Sequence, residues 1–308
     1  MAGALIRPGV IRNPRSHRNR GEEADPPAGV RWAEPATPEA LAIDLARFAA
    51  EGVDLLAIAG GDGTIRDVLS ALPAAFGATP PVLAIIPAGK TNILALDLGA
   101  PVGWTLEEAL GRAGANDPAT KTRCPLEVSW ADGALPPVRG FVFGMGAFVR
   151  ATEMSRAVHR MGAFHTLAVG LTIAGAATGT MFGGKADQWR RGVEMTLGLD
   201  DAPRQSGAHF LTLATTLKRL PLGLAPFGPP HEGLKVLDVD APPRKLLAAL
   251  PALLRGSDAA WLTRAGYRRA EVERLRMTTT APSVIDGEVF PGGEIVVRRC
   301  DPVRFLAP

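Results

Sequence analysis

The feature that most constrains this chain is the run Asp54–Ala59, DLLAIA, followed without a spacer by Gly60-Gly61-Asp62-Gly63-Thr64. A short, continuously apolar run reads as a parallel strand buried on both faces. Behind the glycines, Ile65, Val68, Leu69 and Leu72 recur at helical spacing. The glycines therefore sit on a strand-to-helix turn. Without Cβ atoms, backbone N–H groups can converge on one anion, and the helix adds the positive end of its dipole. This pattern is a phosphate cradle that lacks the lysine of GxxxxGK[ST]. An acid inside such a cradle, Asp62, points to Mg²⁺ or to a proton to be moved. The plain alternative is a glycine-rich connection carrying a solvated Asp62.

The same grammar recurs on either side. Val82–Ile86 (VLAII) is a second buried strand, and Pro87-Ala88-Gly89-Lys90-Thr91-Asn92 leads from it into a helical stretch ending at Leu98. Ligands of open α/β sheets collect at such strand ends. Lys90 suits a phosphate, and Thr91 or Asn92 caps the helix and can meet a ligand as well. Upstream, Gly9–Arg12 runs into Asn13-Pro14-Arg15-Ser16-His17-Arg18-Asn19-Arg20-Gly21. Arg12, Arg15, Arg18 and Arg20 concentrate charge that suits phosphates or an anionic membrane, or else form a solvated basic turn. Thr37, Pro38 and Glu39 carry helix-start signals, and Leu41, Leu45 and Phe48 form the stripe behind them. The first third is thus βαβαβ, which calls for a parallel sheet with helices on its faces.

After about residue 120 the pattern changes. Leu126–Trp130, Val138–Phe143, Val193–Leu199, His209–Thr215, Leu234–Val239, Ala270–Met277, Val284–Phe290 and Glu294–Arg299 read as strands parted by Pro/Gly turns. Helical signals interrupt them at about 150–182 and 243–255. Short strands at this spacing predict a β-sandwich-like second domain. Near the end, Ile285-Asp286-Gly287-Glu288 puts two carboxylates on a tight turn. Such a pair can hold Mg²⁺ or act as a base, and DG is equally a plain hairpin turn.

Composition removes several classes. Lys plus Arg is 34 against 31 Asp plus Glu, a net charge of +3, too balanced for a nucleic-acid coat. Aromatic residues are 6% with a single Tyr, which leaves no platform for stacking bases, so no nucleic-acid partner is expected. Cys124 and Cys300 make neither a CxxC site nor a disulfide framework and suit a reducing cytosol. His17, His159, His165, His209 and His231 show no metal-ligand spacing; only His17 lies in a candidate phosphate turn. No G-x-S-x-G occurs, so a serine hydrolase is unsupported. The opening residues lack a signal-peptide core. Thr166–Gly184 is uncharged but poorly apolar, and reads as a buried or interfacial helix rather than a membrane span.

NPRSHRNRG, AGGDGTIRDVLSAL, IPAGKTNILALDLG, FGMGAFVRATE, LAPFGPPHEGLKVLDV and IDGEVF stand in the order seen in the diacylglycerol kinase catalytic family, which includes bacterial lipid kinases related to sphingosine and ceramide kinases. The chain resembles that family over nearly its whole length, although NAD kinases share GGDGT. The resemblance implies an NAD kinase/diacylglycerol kinase-like α/β domain over 1–120 with a returning segment at about 292–308, and a β-rich lipid domain over 121–291. It implies ATP contacts at Asn13, Pro14, Arg15, Ser16, His17 and Arg18, at Gly60, Gly61, Asp62, Gly63, Thr64, Ile65 and Arg66, and at Gly89, Lys90, Thr91 and Asn92. Asp286 and Glu288 fall on the positions of the catalytic base, joined by Asp62. Pro229, Glu232 and Leu234 fall on a structural Mg²⁺ site, with Glu232 in place of the usual Asp.

Lys90 replaces a usual Thr, Ile93 a usual Asp, Asp67 a usual Glu and Arg18 a usual Lys. The activity implied is Mg²⁺-dependent transfer of the γ-phosphate of ATP to a lipid hydroxyl, with diacylglycerol as the default acceptor. An NAD kinase-like transfer, or a lipid- or nucleotide-binding protein with altered catalysis, is the alternative. The expected partners are a lipid met at a membrane surface through a peripheral contact and a second copy in a homodimer. The expected location is the cytoplasm, at the inner membrane face.

Overall fold

The computed structural model describes residues 6–23, 25–115, 117–160, 190–229 and 232–308. The uncharged stretch 166–184, His165 and His231 lie outside the described residues. The chain forms two compact units: Met1–Pro125 with Val138–Gly140 and Cys300–Pro308, and Leu126–Pro137 with Phe141–Arg299.

The first unit is built on a six-stranded sheet. Strands β1 (Pro8–Arg12), β2 (Arg31–Ala33), β3 (Leu55–Gly60) and β4 (Val82–Pro87) are parallel neighbours in the order β2-β1-β3-β4. All six residues of β3 are buried, which explains its unbroken apolar run. Helix α1 (Pro38–Ala50) begins where Thr37 Oγ1 accepts the Ala40 N–H at 3.2 Å, and buries Leu41, Leu45 and Phe48. Helix α2 (Asp62–Phe76) buries Ile65, Val68, Leu69 and Leu72. Each of these side chains contributes about 1.5–3 kcal/mol when fully buried. Helix α3 (Ile93–Leu98) follows β4, and helix α4 (Leu106–Ala113) starts from a Thr105–Glu108 capping box. On α4's side of the sheet, Ala109 and Ala113 pack with Trp104, Val10, Leu55, Ala57 and Ala84.

Strand β5 (Thr120–Arg123) closes this sheet, but not against β4. A strand from far along the chain, β17 (Val303–Leu306), lies between them, parallel to β4 and antiparallel to β5. The expected boundary at 120 therefore falls inside a paired strand, and the unit extends to Pro125. The returning segment is Cys300–Pro308 rather than 292–308. β16 (Gly293–Arg299) stays in the second unit because Ile295 and Val297, both fully buried, belong to its core.

The short strand β7 (Val138–Gly140) lies beside α2, where the Arg139 N–H donates to Ser70 Oγ at 2.9 Å.

The second unit is antiparallel and β-rich. It comprises β6 (Leu126–Trp130), β8 (Val142–Gly146), β9 (Val193–Leu199), β10 (Gln205–Thr215), β11 (Leu234–Asp240), β12 (Tyr267–Val272), β13 (Arg274–Thr279), β14 (Ser283–Ile285), β15 (Glu288–Phe290) and β16. The hydrogen-bonded order is β15-β14-β8-β10-β9-β13-β16-β6, with β11 branching from β10 to β12. β10 makes the branch: residues 205–209 pair with β9, residues 211–215 pair with β8, and a bulge marks the change. Helix α5 (Ala147–Arg160) follows β8. Helices α6 (Leu246–Leu254) and α7 (Ala260–Arg264) pack Ala249, Leu253 and Leu262 on Phe210, Leu237, Val239 and Tyr267.

The single strand expected over Ala270–Met277 is two strands. Asp200 Oδ1 accepts the N–H groups of Glu273 at 2.9 Å and Arg274 at 2.8 Å, and so takes the backbone out of the ladder there. Among the described residues, no helix is long and apolar enough to cross a membrane.

Candidate functional site

Three loops leave the C-terminal ends of β1, β3 and β4, and hydrogen bonds stitch them together. Asn13 ends β1. Its N–H donates to the Ala59 carbonyl at 3.0 Å, its Nδ2 to Thr64 Oγ1 at 2.9 Å, and its Oδ1 accepts the Arg15 N–H at 3.0 Å. Arg18 N–H donates to the Ala88 carbonyl at 3.0 Å, which ties the first loop to the third. Ala88 N–H donates to the Gly60 carbonyl at 3.0 Å, which ties the third to the second.

The glycines are demanded by these approaches. A Cβ on Gly60 would lie 2.5 Å from the Thr64 side chain, and one on Gly89 would lie 2.5 Å from the Gly61 Cα. Gly63 faces open space. The N-terminus of α2, capped only by Gly61 with no side-chain bond, is therefore bare. An unsatisfied turn of N–H groups on a 15-residue helix is a place for anionic oxygen.

Asp62 opens α2, and its Oδ1 accepts the Ile93 N–H at 2.8 Å. Asn92 holds the cap position of α3, in a left-handed conformation, but its side chain is spent on its own loop. Oδ1 accepts the Gly89 N–H and Nδ2 donates to the Gly89 carbonyl, both at 2.9 Å. The expected capping by Thr91 or Asn92 is thus performed by Asp62 from the neighbouring loop. Asp62 keeps part of its surface, but its carboxyl turns under the loop. Burial pushes it up to about 6, against the pull of the backbone N–H groups of α3.

Other expected contacts sort by exposure. Pro14, Arg15, His17, Arg18, Lys90 and Thr91 are exposed around the cradle, and Ser16 is half-buried. Ile65 is in the core at 2% exposure and its N–H is taken by the Gly61 carbonyl, so it offers a ligand neither side chain nor donor. Arg66 pairs with Asp67 at 2.7 Å. Arg12 is not part of the loop's charge. It is buried, pairs with Glu34 at 2.9 Å and donates to the Asn19 and Glu22 carbonyls. Asn19 is a residue that sequence reading left out of the site. It is buried, and its Nδ2 bridges the Asn13 and Ala59 carbonyls at 2.9 Å. Its position two residues before the turn's Gly21 was the available signal.

In the second unit, Asp286 and Gly287 join β14 to β15. Their φ angles of 45° and 82° make the two-residue hairpin expected of DG. The Asp286 carboxylate accepts the Val142 N–H at 2.8 Å and the Phe141 N–H at 3.1 Å, and its own N–H donates to the Val142 carbonyl at 3.0 Å. Aspartate and glycine are residues that adopt the left-handed conformation such a turn requires. Glu288 is exposed on the strand that follows.

Of the expected Mg²⁺ ligands, only Glu232 carries a side-chain oxygen, since Pro229 and Leu234 could ligate only through backbone carbonyls. Glu232 is ion-paired with the Lys218 ammonium, which repels a metal there. Leu234 is fully buried in β11, paired with Val272, and Pro229 is exposed. Among the described residues, no group of three His, Cys, Asp or Glu side chains could hold a metal ion.

Residues 9–122 match the family model of the diacylglycerol kinase catalytic domain, the stretch that contains all three loops. No curated protein matches the chain. Among solved structures, a diacylglycerol kinase from Bacillus anthracis str. Sterne is similar with a TM-score of 0.64 at 12% identity, covering 99% of this chain and 98% of that one. Two further structures from that organism, described as candidate diacylglycerol kinases, have TM-scores of 0.67 at 14% and 13% identity, with the same coverage of 99% and 98%. At such identities the likeness establishes the fold.

Proposed function

We propose that the protein transfers the γ-phosphate of ATP to a lipid hydroxyl, with diacylglycerol as the acceptor and phosphatidic acid as the product. The observation that carries this reading is the stitched cradle: three loops, two of them glycine-tight, at the strand ends of a domain matched by a kinase family model. The bare turn of α2 receives the phosphates, and the exposed Arg15, Arg18 and Lys90 supply positive charge around it. Asp62 is the cradle's acid that would hold a Mg²⁺ brought by the nucleotide, and the ion would supply charge neutralisation for the transfer.

The acceptor's hydroxyl oxygen attacks the γ-phosphorus. The bond from that phosphorus to the bridging oxygen breaks, and ADP leaves with the electron pair. Glu288 takes the hydroxyl proton, while Asp286, committed to two backbone N–H groups, positions the turn.

The test is transfer of label from γ-labelled ATP, with Mg²⁺, to lipids in mixed micelles and to NAD. Labelled diacylglycerol is the expected result. Label on NAD would move the protein to dinucleotide phosphorylation. Bound ATP without transfer to either would leave a nucleotide-binding protein and overturn the reading.

A further inference from the structure

The kinase reading leaves one buried catalytic-type group unused. His209, on β10, is 5% exposed, and its Nδ1 contacts Asp238 Oδ1 on β11 at 2.8 Å. The same oxygen accepts from Thr212 Oγ1 at 2.8 Å, and Asp238 Oδ2 accepts from Arg268 Nη2 on β12 at 2.8 Å. Burial works to raise the Asp238 carboxyl. The bonds and charge of His209, with Arg268 and Thr212, outweigh it and hold the group below the usual carboxylate range. An ionised carboxylate only accepts, so Nδ1 carries the hydrogen. The imidazole is then oriented with Nε2 as its working atom, and Nε2 makes no hydrogen bond among the described residues.

The local backbone is arranged to produce this. In a regular strand, His209 and Thr212 would point to opposite faces. The bulge between His209 and Leu211 adds a residue to β10 and turns both side chains onto Asp238. Bulges of this kind re-aim side chains next to sites. His209 and Asp238 line a cavity of about 380 Å³ whose walls include Leu197, Leu199, Val236 and Ala270. That volume is at the lower end for small-molecule sites, enough for one medium-length apolar chain. Arg268 and Arg269 line the polar end beside Asp238, and both guanidiniums are already paired, Arg268 with Asp238 and Asp240 and Arg269 with Asp258, so an anionic head group would have to compete with carboxylates already in place. The site is separate from Asp286: β8 and β10 stand between β14 and β11 in the sheet.

We propose that this cavity binds a neutral amphiphile, an alcohol whose hydroxyl hydrogen-bonds to His209 Nε2 and whose apolar chain lies against Leu197, Leu199, Val236 and Ala270. The proposal does not depend on the kinase reading. The test titrates the full chain with 1-octanol and, separately, with octanoate, following the His209 Nε2 resonance by ¹⁵N NMR. Saturable displacement of that resonance by octanol is expected, with affinity at least tenfold weaker in Ala270→Leu, which fills the cavity and leaves the His209–Asp238–Arg268 bonds in place. His209→Phe should lose binding to the same extent. Should that variant fail to fold, Ala270→Leu decides alone. An unmoved His209 resonance, tighter binding of octanoate, or undiminished octanol affinity in Ala270→Leu would overturn the assignment.

Discussion

Asp62 carries opposite consequences for stability and function. Its folded value of about 6 lies above the ordinary aspartate value of 3.8, so the folded protein binds this proton more tightly than the unfolded chain does. The cost of ionising it is absent below about pH 4 and complete above about pH 6, on the order of 3 kcal/mol at most. Asp62→Asn keeps an oxygen that can accept from Ile93 and removes the charge. It is expected to raise the melting temperature at pH 7–8, with the gain disappearing towards pH 4, while phosphoryl transfer falls at least a hundredfold. Thermal unfolding of both proteins across pH 4–8, beside the transfer assay, checks this. A pH-independent difference in melting temperature would contradict the burial argument. Wild-type transfer should also rise through pH 6 as the carboxyl ionises.

Elements are held here by side chains borrowed from other elements. The Asn13–Thr64 bond at 2.9 Å clasps the first two loops. Asn13→Ala should raise KM for ATP several-fold at a stability cost of about 1 kcal/mol, measurable by steady-state kinetics and denaturant unfolding. Gly89→Ala places a Cβ on the Gly61 backbone, which cannot yield as a flexible side chain would, and should abolish nucleotide binding in calorimetry.

Helix α3 is six residues long and is secured from outside, by Asp62 at its start and by Arg123 of β5 on the fully buried Asp97. Arg123→Ala withdraws the guanidinium from that carboxylate, and the melting transition should report a loss of about 3–5 kcal/mol.

These borrowings mark the limit of what the sequence discloses. Buried strands and amphipathic helices repeat on a local period, so DLLAIA, VLAII and the Thr37 helix start are readable from neighbours alone. The glycine loops are readable for the same reason. Asp62 capping α3 across 31 positions, Asn19 bridging two carbonyls, Asp200 interrupting β12–β13 and the bulge that turns His209 have no local period. They arise only when distant segments meet.

At the scale of the molecule, the decisive element is β17. Its four residues lie between β4 and β5 and pair with both, and Phe305 of this strand is fully buried. Removal of 300–308 would uncover one side of β4 and leave β5 unpaired. The expected outcome is loss of ATP binding together with early proteolysis inside 1–125, read by limited digestion and mass spectrometry. Survival of a protected 1–125 fragment would show that β17 is dispensable.

The position of β17 in the sequence also sets a timetable. A ribosome has to read through all of 126–299 after finishing β5 before the strand that completes the first sheet exists. At about 5–20 residues per second, that interval is on the order of ten to thirty seconds. Throughout it, the growing chain carries an open β-edge of the kind that recruits chaperones or sticks to its neighbours. The phosphate loops therefore become supported only in a chain whose second unit has already been translated, so a molecule stalled midway would not sequester ATP.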